Sequence, residues 1–130
     1  MQGSILRKQY HLRPSGRGYH AWDVDRLVGL TKDFKRQRVK LDSIRELEEN
    51  FWFAGKNDKP TIRAIVEHAK LIREADLGYP IILSSDGRVM DGMHRVAKAL
   101  LEGEKTIEAV RFDEDPAPDY TDVHPDDLPY

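Results

Sequence analysis

The stretch from Tyr79 to Leu101 constrains the fold more than any other part of this chain. Tyr79-Pro80-Ile81-Ile82-Leu83 is an apolar run too short for a helix, and it reads as a buried strand. Ser84-Ser85-Asp86-Gly87 follows as a turn, with Asp86-Gly87 a hairpin-type signal, and Arg88-Val89-Met90-Asp91 is the returning strand. Gly92 or Met93 then opens a helix that runs to Leu101 and stops near Gly103. Strand, turn, strand and helix joined by such short links call for a small sheet with helices packed on it.

The flanking segments extend that plan. Thr61 to Ala75 carries Ile62, Ile65, Val66, Ala69 and Ile72 at helical spacing, a stripe expected to face the core, with Pro60 suited to its first turn. Thr106 to Phe112 alternates as a final strand, and Val39 and Leu41 alternate with charges as a short one. Ser43 and Glu46 have the spacing of a capping box. Phe51-Trp52-Phe53 reads as core, with a stacking platform for a base as the alternative. Trp22 to Phe34 reads as an amphipathic helix with Trp22, Leu27, Leu30 and Phe34 near one face. Residues 1–20 read as an irregular arm, and the prolines and acids from Asp113 onward as an extended tail. The expected class is α/β (α+β), a small mixed β-sheet packed with helices. Its parts are a basic arm and helix over 1–36, a sheet-bearing unit over 37–112 and an acidic, proline-rich tail over 113–130.

Composition narrows the function. With no cysteine, disulfide staples, thiolate zinc sites and cysteine nucleophiles are excluded. The histidines His11, His20 and His124 show no metal-ligand spacing, and no metal site is expected. No apolar run approaches the roughly 20 residues that span a bilayer, and no signal peptide is evident, so a cytoplasmic protein without a membrane partner is expected. Residues 1–40 hold ten Lys/Arg against three Asp/Glu, while residues 113–130 hold seven Asp/Glu and no Lys/Arg. Either the basic arm meets nucleic acid or another anionic or protein partner, or the acidic tail folds back and neutralises it.

Asp91-Gly92-Met93-His94-Arg95 carries the chemical signal. At the start of a helix the first N–H groups lack partners and the dipole favours negative charge. Glycine lets the backbone approach closely, and arginine adds a planar fork of donors suited to phosphate oxygens. Each residue also has a structural use. Asp91 suits a helix cap, Met93 and His68 suit packing, His94 suits a satisfied partly buried site, and Arg95 suits a pairing with the acidic tail.

The run from Tyr79 to Arg95, with its P-I-I strand, turn and G-x-H-R box opening a helix, resembles the ParB/sulfiredoxin-like superfamily. That group includes ParB N-terminal domains, sulfiredoxins and a free-serine kinase. The resemblance covers about residues 37–112 and implies that residues 1–36 are an N-terminal helical extension of a ParB/sulfiredoxin-like core. It implies that Gly92, His94 and Arg95, with Asp91 and Met93, bind nucleotide phosphates. Lys59, Thr61 and His68 on the preceding helix are implied to approach the same phosphates. The sulfiredoxin cysteine falls at Met93, whose thioether cannot attack as a thiolate does, so sulfinic acid repair is excluded. The serine-kinase-like D-G-H-H-R box is the nearest of the three.

From these residues the chain is expected to bind ATP or another nucleotide, with Mg2+ neutralising the phosphates. Phosphoryl transfer or hydrolysis requires a carboxylate to orient the attacking group, for which Glu46 and Glu48, beside Glu49, are the candidates. The alternative is a non-catalytic nucleic-acid-binding or protein adaptor module with a vestigial phosphate site.

Overall fold

Ile81, Ile82 and Leu83 are all buried. Successive strand residues point to opposite faces, so the sheet they belong to is covered on both sides. The structure is a computed structural model and describes residues 8–130. In chain order it contains β1 (Tyr10–Ser15), β2 (Gly18–Asp23), α1 (Val24–Thr31), β3 (Gln37–Lys40), α2 (Ile62–Glu74), β4 (Ile81–Leu83), β5 (Val89–Asp91), α3 (Met93–Leu101), β6 (Thr106–Arg111) and β7 (Tyr120–Val123). Short 3-10 turns occupy Leu41–Ser43, Arg45–Glu48 and Pro125–Asp127. The strands form a four-stranded sheet in the order β3-β6-β4-β5 and a three-stranded sheet in the order β1-β2-β7. This is the α+β class expected from the sequence, and the larger sheet is mixed: β4 and β6 are parallel and the other neighbours antiparallel.

A parallel pair needs a crossover, and β5 with α3 supplies it. On one face Ile81, Leu83, Val89, Ile107 and Ala109 pack with Val96 and Ala99 of α3 and with Leu41 and Ile44. On the other face Ile82, Met90 and Val110 meet Trp22, Leu27 and Phe112. Trp22 comes from the smaller sheet and Leu27 from α1, so those two elements close the far side of the core.

Several local expectations are corrected. The arm over residues 10–23 is a β-hairpin, β1 paired with β2 in continuous antiparallel register. Trp22 lies in β2, and α1 starts only at Val24, capped by Asp23, whose side chain accepts the Asp25 N–H at 2.9 Å. Leu30 and Phe34 stay exposed. The tail returns as β7 beside β2, and a Cβ on Gly18 would sit 2.7 Å from the Val123 carbonyl oxygen, so glycine permits that approach. No capping box forms. The Ser43 hydroxyl donates to the Lys40 carbonyl, and Glu46 is buried with its carboxylate accepting the Val89 N–H at 2.8 Å. The stripe on α2 faces outward, with Ile62, Ile65 and Val66 at 79, 48 and 59% exposure. The helix instead turns Ala64 and His68 inward, with Ile72 alone of the stripe, because a stack of rings decides its docking face.

The transition from β5 to α3 is made at Gly92, in the left-handed region at φ 106°. A Cβ there would lie 2.7 Å from Ile81 Cγ2 and 2.8 Å from Arg95 Nη2. Both the backbone angle and the space therefore demand glycine. Gly92→Ala is expected to cost about 2 kcal/mol or more, from the left-handed strain and overpacking together. The measurement is a lowered urea midpoint at unchanged m-value.

Candidate functional site at the entrance of α3

α3 begins with Gly92 as its cap residue, and glycine offers no acceptor. No side chain caps the first turn, so its N–H groups and the positive end of the helix dipole are left for another acceptor. The entrance opens on a cavity of about 600 Å³ lined by Asp91, Gly92, Met93 and His94, with Trp52, His11 and Lys8 across it. Lys8 is held at its rim by Asp23, at 3.0 Å, and Asp25, at 3.7 Å.

The helical step of about 100° per residue sends consecutive side chains of the box in different directions. Met93 lies against the core of the larger sheet. His94 joins a stack: the Trp52 ring lies nearly parallel to His94 at 4.6 Å and to His68 at 4.4 Å. His68 Nδ1 and His94 Nε2 are 2.8 Å apart, one ring donating to the other. Burial, then His68 and Arg95, hold the His94 pKa down to about 4. Burial also lowers that of His68, against the pull of Glu67 and Asp58. Both rings are therefore neutral near pH 7, and they offer hydrogen bonds and flat surfaces, not charge. Arg95 turns elsewhere. Its Nη2 donates to Asp91 Oδ2 at 3.1 Å and to the Pro80 carbonyl at 3.2 Å.

The other expected residues are divided among separate cavities. Lys59, Thr61 and His68 line one of about 520 Å³ at the start of α2, where Thr61 caps the helix by accepting the Ala64 N–H. Trp52 is a wall of both that cavity and the one at α3. The indole thus lines the cavities of both groups of residues that the sequence reading placed around one ligand, and His68 joins the two groups through its bond to His94. Glu46 lines a third, largely apolar cavity of about 530 Å³ with Met93, Ala97 and Leu100. Glu48 is exposed. Trp52 was marked by its aromatic cluster, as core or a stacking platform, but its pairing with His68 and His94 was not. Lys8 had no signal at the sequence level, since nothing local marks a residue that meets the box only across the fold.

The arm and tail neutralise each other in part. Arg13 pairs with Asp115, and Arg26 with Asp119 while donating to the Ala117 carbonyl. Trp22 Nε1 donates to the Pro116 carbonyl at 2.8 Å. Among the described residues no group of three or more His, Asp or Glu is placed to hold a metal ion, and no helix is long and apolar enough to cross a membrane. Comparisons with protein-family models, with curated proteins and with solved structures gave no match.

Keeping the His94 ring neutral has a pH signature. Its folded-state pKa, about 4, lies below the ordinary 6.5, so the unfolded chain takes up the proton first as the medium is acidified. That contribution to stability is full above pH 6.5 and is lost progressively as the pH falls towards about 4. His11, also held near 4 by burial and Arg13, adds to the same slope. Urea midpoints are expected to fall across this range, and His94→Asn to flatten the fall without abolishing it. A slope unchanged by His94→Asn would show that the stack does not hold the ring neutral.

Proposed function

We propose that this chain binds the phosphate end of a nucleotide, ATP or a related triphosphate, at the entrance of α3. The observation that carries the reading is the uncapped first turn behind Gly92, opening on a cavity large enough for a nucleotide. The resemblance of Tyr79–Arg95 to ParB/sulfiredoxin-like proteins agrees with it. In this reading the amides of the first turn hold phosphate oxygens and His94 supplies a neutral hydrogen-bonding ring. Trp52 offers a face against which a base can stack once the loop carrying it gives way. His68 is tied to the same ligand through His94, while Lys59 and Thr61, which line the neighbouring cavity, reach it only if Trp52 moves.

The residues fit a phosphate better than a protein-held metal. Asp91 is engaged by Arg95, so Mg2+ would be carried chiefly by phosphate oxygens and water. Glu46 lines a different cavity and already accepts the Val89 N–H, and Glu48 does not line the entrance. The reading is therefore of a nucleotide-binding domain, with phosphoryl transfer or hydrolysis dependent on a rearrangement that brings a carboxylate to the seat.

A second reading, a protein adaptor, is favoured by the outward apolar face of α2, where Ile62 and Val66 are largely exposed. The pairing of Arg13 and Arg26 with the tail leaves fewer cations for a nucleic-acid partner at the arm.

Thermal melts with ATP, ADP, CTP and GTP, each with Mg2+, separate these readings. Nucleotide binding is expected to raise the melting point by mass action, by about 2.7 kcal/mol of added stability at a hundredfold excess over Kd. His94→Asp, which puts a negative charge at the seat, is expected to remove the shift. No shift with any nucleotide would leave the adaptor reading in its place.

A further inference from the structure

The side of α3 to which Arg95 points holds another cavity, of about 230 Å³. Three cations from two segments line it: Lys32 and Arg36 of the link between α1 and β3, and Arg95 of α3. The one carboxylate in its lining, Asp91, is already bound to Arg95 at 3.1 Å. Three positive charges against one negative leave the lining at +2. Arg36 donates to the Gly78 carbonyl at 3.0 Å, and neither it nor Lys32 has an ion pair among the described residues. Arg95 Nε is buried with no acceptor. A buried donor without an acceptor is destabilising, so the Arg95 guanidinium carries donor capacity that the protein itself does not satisfy.

The rest of the wall is apolar and aromatic, with Phe34, Tyr79 and Pro80 prominent. Its volume lies below the roughly 300–1,000 Å³ of pockets that take drug-sized ligands. A whole nucleotide is too large for it, whereas a single ring bearing one acidic group is of suitable size. We infer that this cavity is a second binding site, for a small organic anion with a carboxylate or phosphate group on a compact apolar or aromatic body. It does not depend on the nucleotide reading. Asp91 is the residue common to the linings of the two cavities, and α1 with the segment after it, not the α3 entrance, supplies two of its three cations.

The test is a titration followed by amide NMR, with phenyl phosphate and benzoate as probes and benzyl alcohol as the neutral control. It uses the wild type, Lys32→Ala/Arg36→Ala and His94→Ala. Lys32 and Arg36 are exposed, so the double variant is expected to fold. Saturable shifts of the Val28, Lys32 and Tyr79 amides are expected with the anions and not with benzyl alcohol. Binding is expected to weaken about tenfold or more in the double variant, as loss of charge-assisted donors implies, and to be unchanged in His94→Ala. The stronger of the two anions identifies the acidic group as phosphate or carboxylate. The inference fails if those amides do not shift saturably, or if the double variant binds as tightly as the wild type. It also fails if the shifts fall on residues 92–94 and vanish in His94→Ala, which would place the anion at the α3 entrance.

Discussion

The missing side chain at residue 92 is the constraint on which the rest of this structure depends. β5 must end and α3 begin within one residue, at a left-handed backbone angle, with Ile81 and the Arg95 guanidinium against the Cα. That turn sets the direction of α3. Once the direction is set, the helical repeat distributes the next residues: Val96 and Ala99 to the core, His94 to the ring stack, Arg95 to Asp91 and the Pro80 carbonyl. One turn therefore fixes the core, an uncapped helix entrance and the position of a cation at a second cavity.

Charge organises the outer layer. β1 is joined to the tail through Arg13 with Asp115 and Ser15 with Asp122, and α1 through Arg26 with Asp119. These pairs are partly or wholly solvent-exposed, and such pairs contribute little each. The firmer attachment is Trp22, buried among Ile82, Met90 and Val110 and donating from its indole to the Pro116 carbonyl. The ion pairs set which segment lies where, and the burial of the indole supplies most of the stabilisation.

The elements of the larger sheet were legible in the sequence because their signals are local. Short apolar runs, a turn dipeptide and helical spacing placed β4, β5, α3 and β6 close to where they lie. The arm failed because its strands, Tyr10–Ser15 and Gly18–Asp23, contain Gly, Pro and Ser and alternate only weakly; their pairing with each other and with β7 overrides that composition. The face of α2 failed for a different reason. Its apolar stripe satisfied a helix rule, but His68 found Trp52 and His94, and ring stacking with a shared hydrogen bond outweighed an aliphatic stripe with nothing opposite it.

Alone, the sequence determined the α+β class, the glycine turn into α3 and the absence of thiol chemistry. Each follows from residue type or from spacing within about one turn or strand. Tertiary structure decided which residues share a cavity. Trp52 separates Lys59 and Thr61 from the α3 entrance, Arg95 leaves that entrance for a pocket it lines with Lys32 and Arg36, and the tail covers Trp22. Such neighbours are set by packing between segments far apart in the chain, and no local pattern records them.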